Sequence, residues 1–204
     1  MKRILMSALL IALGTTLLPA QSTTEKGKSP EAVVEAFWRM EINGGRLTQE
    51  GWYNAAQFFS AQPTQPPEYK NVSVVSDNYK VGNLEAGKSS AEVYVACKEF
   101  GQIDNNLRFV QRIEPVPPGI SVVAGKWFKY DLILTTKHWE VGPDGEALET
   151  TTVPAAWRIQ DFQMPVYLNA NAAISYVTAM KDKSSSPSIK KNADATLATL
   201  RKFK

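Results

Sequence analysis

Apolar side chains recur at helical spacing between residues 29 and 62. A first helix is predicted to begin at Ser29 and Pro30, because serine caps helices and proline suits their first turn. It is predicted to end at the paired glycines 44 and 45. Its apolar side consists of Val33, Phe37 and Met40. A second helix is predicted from Thr48, with an apolar side made of Trp52, Ala55, Ala56 and Phe59.

The middle of the chain changes to the alternating pattern of β-strands, with many β-branched and aromatic residues. The predicted strands cover residues 72–81, 91–103, 107–113, 126–141 and 152–164. Glycine and proline separate them, and Gly142, Pro143, Asp144 and Gly145 form a strong turn signal. This pattern predicts one curved, mostly antiparallel sheet.

Helical spacing returns after Pro165. One helix is predicted around residues 171–181, and a last helix begins where Ser186 caps and Pro187 follows. The last helix has a continuous apolar stripe formed by Ile189, Ala193, Leu197 and Leu200. We interpret this stripe as a face packed on its own domain; the alternative is a partner-binding face.

Together these patterns predict an α+β fold with N-terminal helices on the curved sheet and two C-terminal helices. The predicted domain spans residues 29–165, and residues 166–204 form a helical extension packed on it. No internal repeat is visible. The length suits one domain of ordinary size.

The first residues have the parts of an export signal, namely basic Lys2 and Arg3, an apolar run over residues 4–18 and a small residue at Ala20. We predict a signal peptide at 1–20 and a loose tether at 21–28, with delivery to the periplasm or the medium. The apolar run is shorter than a membrane-spanning helix, so no integral membrane segment is expected after cleavage. Cys97 is the single cysteine, which excludes an internal disulfide.

The charge balance argues against a nucleic-acid partner. The chain has 23 basic and 20 acidic residues. Two of the basic residues belong to the predicted signal, so the exported chain is nearly neutral. A nearly neutral chain without a clustered basic face is not expected to bind nucleic acid.

Two local sequences resemble the nuclear transport factor 2 superfamily. One is the segment 30–38, PEAVVEAFW, which is similar to the first helix of many members, and the other is the late strand AWRI at 156–159. The resemblance covers residues 29–165 and implies a cone, in which a bent sheet wraps around helices and leaves a pocket. It implies no single activity, because this superfamily includes isomerase-like and dehydratase-like enzymes, cyclases and members without catalysis.

The residues offer few sites for chemistry. One histidine and one cysteine cannot supply the usual zinc ligands, so no metal and no cofactor is expected. If alternation continues along the strand from residue 126, Tyr130 and His138 share a face, and Asp161 follows on the late strand. These three candidate catalytic residues would suit general acid–base chemistry in an apolar pocket. The alternative is structural: Tyr130 packs with its hydroxyl at an edge, His138 is exposed or simply hydrogen-bonded, and Asp161 ends a strand.

Aromatic side chains are the other candidates. The residues predicted to line a ligand pocket are Phe37, Trp52, Phe128, Tyr130 and Trp157. The resulting hypothesis is an exported, non-catalytic cone-fold module that binds a small apolar ligand or a protein partner at the cell envelope. The alternative is an isomerase, dehydratase or cyclase of the same fold. A homodimer is compatible with both.

Overall fold

A computed structural model describes residues 28–62, 71–111, 126–142, 144, 146–160 and 165–203. The predicted signal peptide and Asp161 lie outside these residues, as does the predicted tether apart from Lys28. The helices are α1 (Pro30–Ile42), α2 (Gln49–Ala56), α3 (Ala170–Lys183) and α4 (Pro187–Leu200), with short 3-10 turns at Gly45–Leu47 and Arg201–Phe203. The strands are β1 (Asn71–Ala86), β2 (Ser90–Asp104), β3 (Phe109–Gln111), β4 (Lys126–Val141), β5 (Ala147–Ile159) and β6 (Val166–Leu168).

The helices begin at side-chain caps. Ser29 accepts a hydrogen bond from the backbone of Ala32, and Thr48 accepts one from Gly51, so α1 and α2 start where the sequence predicts. Ser186 caps α4 in the same way, before Pro187. Such caps satisfy backbone N–H groups that have no partner within a helix.

The strands form one open sheet in the order β5-β4-β2-β1-β6, with β3 also paired to β2. Each strand pair is antiparallel except β1 with β6, which is parallel. The sheet is therefore mixed, and the predicted α+β class is confirmed. Register shifts interrupt β1 near Val75 and the β4–β5 pair near Thr135. Such irregularities bend and twist strands, which gives the sheet its curvature.

Several strand limits differ from the prediction. β5 starts at Ala147, five residues before the predicted strand. Of the predicted strand over 107–113, the structure describes residues 107–111, and among these β3 covers Phe109–Gln111. β6 was missed altogether, because three residues are too few to show a period. It lies within the predicted helical extension, so that segment contributes a strand as well as two helices.

Two hydrophobic cores lie on opposite faces of the sheet. The first contains side chains from α1, α2 and the strands β1, β2 and β4. The second joins α3 and α4 to other positions of β1 and β2. β6 contributes to both, because Tyr167 belongs to the first core while Val166 and Leu168 belong to the second. The thiol of Cys97 is buried in the first core.

Candidate functional site

A buried ion pair lies at the C-terminal end of α1. Glu41 is in the last turn of the helix, and Gly44, which has a φ of +87°, turns the chain so that Arg46 approaches it. Arg46 Nε donates to Glu41 Oε2 at 2.8 Å, and Arg46 Nη2 donates to Glu41 Oε1 at 2.7 Å. Both side chains are fully buried. This bidentate geometry is the strong form of an arginine–carboxylate ion pair.

The same pair holds β6 in place. Arg46 Nη2 also donates to the carbonyl of Pro165 at 2.9 Å, and the backbone N–H of Tyr167 donates to Glu41 Oε1 at 3.1 Å. The carboxylate of Glu41 thus accepts hydrogen bonds from two arginine N–H groups and one backbone N–H. A carboxylate engaged in this way is structural, because its oxygens are turned toward donors of its own chain.

An aromatic cluster lies beside this pair. The ring of Trp38 lies 5.5 Å from that of Phe128, 5.1 Å from that of Tyr167 and 6.4 Å from that of Tyr130. Phe37 meets Tyr130 edge to face at 6.1 Å. These separations are those of mutually packed aromatic rings.

Two polar atoms in this cluster have no hydrogen-bond partner among the described residues. They are Nε1 of Trp38 and the hydroxyl of Tyr130. Trp38 is fully buried and Tyr130 is 1% exposed. Because nearly all buried polar groups in folded proteins are hydrogen-bonded, each such atom requires an explanation. The two atoms belong to neighbouring rings, since Trp38 and Tyr130 pack edge to face.

The environment of Tyr130 favours its neutral form. Burial, and then the proximity of Tyr167 and Glu41, raise the pKa of Tyr130 well above its usual value, although Arg46 opposes this. Burial likewise raises the pKa of Tyr167. The hydroxyl of Tyr130 therefore stays protonated at neutral pH, and it can donate a hydrogen bond.

The structure brings the predicted pocket residues together. Phe37, Trp52, Phe128 and Tyr130 all belong to the first core, and Trp157 is partly buried against it. All five side chains thus contribute to a single cluster.

The imidazole of His138 and the hydroxyl of Tyr130 lie far apart in the structure. The two residues are eight positions apart on β4, which is about 26 Å of extended strand. The imidazole of His138 lies 2.7 Å from Thr150 Oγ1 and 3.0 Å from Glu140 Oε1, near the β4–β5 hairpin. Asp161, the third candidate, lies outside the described residues.

The neighbour of His138 on the strand, Trp139, is the residue that turns toward the segment after α2. Its Nε1 donates to the carbonyl of Ser60 at 3.1 Å. The register of β4 and β5 shifts between Thr135 and Lys137, so alternation counted from Tyr130 does not carry across this point.

Sequence reasoning missed the ion pair and the role of Trp38. A signal for Glu41 was present, because it follows Phe37 by four residues and Val34 by seven and so falls on the buried side of α1. An acidic residue on an apolar helix face requires a buried cation nearby. No comparable signal pointed to Arg46, whose approach depends on the turn at Gly44.

A groove also lies on the surface of the N-terminal helices. It has a volume of about 550 Å³ and lies between α1, the first 3-10 turn and α2, lined among others by Arg39, Met40, Thr48 and Glu50. Its charged lining side chains are exposed, and the two unpartnered polar atoms are not among its walls. The interior cluster is therefore the better candidate site.

Within the described part of the chain, no group of three or more histidine, cysteine, aspartate or glutamate side chains is arranged to hold a metal ion. Nor does any helix there have the length and apolar character needed to cross a membrane. No family model, curated protein or solved structure matches the chain.

Proposed function

We propose that this protein is a non-catalytic binding module that takes up a small, mainly apolar molecule in the aromatic interior between α1 and the sheet. The observation that carries the proposal is the pair of buried, unpartnered donors, Trp38 Nε1 and the Tyr130 hydroxyl. Leaving such a group without a partner costs about 1–3 kcal/mol. A ligand that supplies the missing acceptor removes that cost.

The chemistry of the two donors defines the ligand. Indole N–H only donates, and the neutral hydroxyl of Tyr130 also donates readily. The ligand therefore carries an acceptor, such as a carbonyl or ether oxygen, near one end. The rest of the ligand is apolar, because Phe37 and Phe128 surround the donors with ring carbon. Small-molecule sites are lined mainly by apolar and aromatic side chains with a few placed polar groups, and the side chains of this cluster are of those kinds.

Binding is favoured over proton transfer. A general base has to reach the proton it abstracts, at about 2.6–3.2 Å or through one water. Glu41, which lies near Tyr130, is held by Arg46 and by the backbone of Tyr167. The imidazole of His138 is at a distant part of β4. The described side chains around Tyr130 thus offer a donor but no positioned base.

The proposal also includes the fold of the protein and its location outside the cytoplasm. A cone-like arrangement similar to that of the nuclear transport factor 2 superfamily is supported by the order of helices and long antiparallel strands in residues 29–165. Export is supported by the signal pattern in residues 1–20. On this proposal the ligand is bound outside the cytoplasm.

The test is thermal unfolding of the purified protein with acetophenone, 2-decanone and menadione, three uncharged, mainly apolar compounds that each carry a carbonyl group. A ligand bound only by the folded state raises the unfolding midpoint. In Tyr130→Phe the ligand-induced shift is expected to fall, while the protein without ligand is as stable as wild type or about 1 kcal/mol more stable.

Tyr53→Phe is the matched control, because the hydroxyl of Tyr53 already has a partner and accepts an exposed hydrogen bond from Gln49. It should leave the ligand-induced shift unchanged. The proposal is wrong if none of the three compounds shifts the midpoint, or if Tyr130→Phe retains the full shift.

A further inference from the structure

An exposed aromatic stack lies on the other face of the sheet, away from the first core. The indole of Trp127 and the phenol of Tyr94 are 4.2 Å apart between centroids, with an angle of 23° between the rings. Trp127 is 57% exposed, although its neighbour Phe128 is buried in the first core. One face of the indole is covered by Tyr94, and the exposure shows that much of the remainder is open to solvent.

The sheet is shaped to hold this stack. Gly82 pairs with Tyr94 across β1 and β2, and a Cβ atom at Gly82 would come within 2.5 Å of the Tyr94 ring. The phenol therefore lies directly on the backbone of β1. Ala96, the partner of Trp127 on β2, is small as well. Gly82 thus leaves room for the Tyr94 ring, against which the indole of Trp127 stacks.

Charged side chains of both signs border the stack. Lys129, the strand partner of Tyr94, bridges Glu92 at 3.0 Å and Asp131 at 3.1 Å. All three side chains are about half exposed, so their remaining donor and acceptor positions face solvent. The border therefore offers both hydrogen-bond donors and acceptors beside a flat apolar ring.

From these features we propose that Trp127 is a stacking platform for a sugar ring of a glycan, with Lys129, Glu92 and Asp131 binding its hydroxyl groups. A pyranose ring has an apolar C–H face that fits a flat indole and hydroxyls at its edge that both donate and accept. Tryptophan and tyrosine are enriched at contact surfaces where one end of the ring is apolar and the other is wet.

Two other ligand classes fit the geometry less well. A quaternary ammonium ion is bound by rings that surround it, whereas Tyr94 and Trp127 are nearly parallel and present a single face. A nucleic-acid base could stack on the indole, but the adjoining phosphates would meet Glu92 and Asp131. Phosphate contacts dominate nucleic-acid affinity, so these carboxylates disfavour that partner.

The test measures binding of the whole protein to three soluble hexasaccharides, namely cellohexaose, chitohexaose and an oligogalacturonate. Tryptophan fluorescence and calorimetry detect the binding. A thymidine decamer is the comparison ligand. Wild type is expected to bind at least one of the saccharides. Trp127→Ala should weaken that binding by about tenfold or more, because it removes the stacking surface. Lys129→Ala should weaken it by a smaller factor.

Leu148→Ala is the matched control. Leu148 lies on β5 and is 56% exposed, nearly as much as Trp127. Its substitution should leave saccharide binding unchanged, and so should Tyr130→Phe, which separates this site from the interior one. Failure to bind any of the three saccharides overturns the proposal, as does equal binding by Trp127→Ala. Preferential binding of the thymidine decamer would replace a glycan by nucleic acid as the partner.

Discussion

At the scale of single residues, the ion pair of Glu41 and Arg46 shows how a buried charge is made tolerable. Each oxygen of the carboxylate faces a donor, and the guanidinium also contacts the carbonyl of Pro165. The pair therefore connects the end of α1 to the chain entering β6. Removing one partner would leave the other charge buried and unpaired, which is the expensive case.

The first prediction concerns this pair. Glu41→Leu and Arg46→Leu are each expected to lower the free energy of unfolding by about 3–5 kcal/mol, measured by urea denaturation. The double variant should be more stable than the sum of the two losses implies, because it removes both charges. It should not regain full stability, since the carbonyl of Pro165 and the N–H of Tyr167 lose their partners.

Glu35→Gln serves as the control, because Glu35 pairs with Arg39 in an exposed contact on the same helix. Its effect should be below about 1 kcal/mol. Additive losses in the double variant of Glu41 and Arg46 would contradict the interpretation of the two charges as one coupled unit.

At the scale of elements, Asn169 links two helices that are far apart in sequence. Its Oδ1 accepts from the backbone of Ala172 at 2.8 Å and so caps α3. Its Nδ2 donates to Asn43 Oδ1 at 2.9 Å, and its backbone N–H donates to Ile42 at 2.7 Å, both at the end of α1. One residue thereby ends β6, starts α3 and fixes both to α1.

We predict that Asn169→Ala lowers the free energy of unfolding by about 1–2 kcal/mol, because the cap and a buried side-chain contact are lost together. Ser186→Ala is the comparison, since Ser186 caps α4 at the longer distance of 3.5 Å. It should have the smaller effect in the same denaturant titration. Equal losses in the two variants would mean that Asn169 acts only as a cap.

Elements were predictable where their signals are local. Ser29 and Ser186 marked helix starts because a cap and the following proline are adjacent in sequence. β6 was not predictable, because its three residues become a strand only by pairing with β1. The shift after Thr135 was equally invisible, since bulges depend on the partner strand. The expectation that His138 continues the face of Tyr130 assumed an uninterrupted strand, and the register shift removes that assumption.

The candidate site was predictable to a similar extent. Alternation and helical spacing placed Phe37, Phe128 and Tyr130 on buried faces, and burial alone brings them together. Hydrogen-bond satisfaction is a property of the packed structure. The unpartnered state of Trp38 Nε1 and the Tyr130 hydroxyl therefore could not be derived from the sequence.

At the scale of the whole molecule, the two cores are joined through shared strands. Val75 packs in the first core and Val74 in the second, and the three residues of β6 alternate between them. On the second side, Thr196 of α4 donates to the carbonyl of Leu107 at 2.7 Å and accepts from the N–H of Phe109 at 2.9 Å. The C-terminal helices thus complete the sheet's second face.

This sharing predicts a single unfolding transition. Leu197→Ala in the second core and Phe37→Ala in the first are each expected to lower the free energy of unfolding by about 2–5 kcal/mol. Near-UV and far-UV circular dichroism should report the same midpoint for each variant, as expected for two-state unfolding. If the two signals separated in Leu197→Ala, the C-terminal helices would be an independently unfolding unit.

Because Cys97 is buried, the reactivity of its thiol reports how often the first core opens to solvent. The side chain is in the first core at the centre of β2, where a thiol-specific reagent in solution cannot reach it. Its rate of modification therefore measures how often the interior is exposed, without any added probe. Since Cys97 is the sole sulfhydryl of the chain, the kinetics need no site assignment. If a ligand binds between α1 and the sheet, the rate of Cys97 modification should fall in proportion to the fraction of protein that is bound.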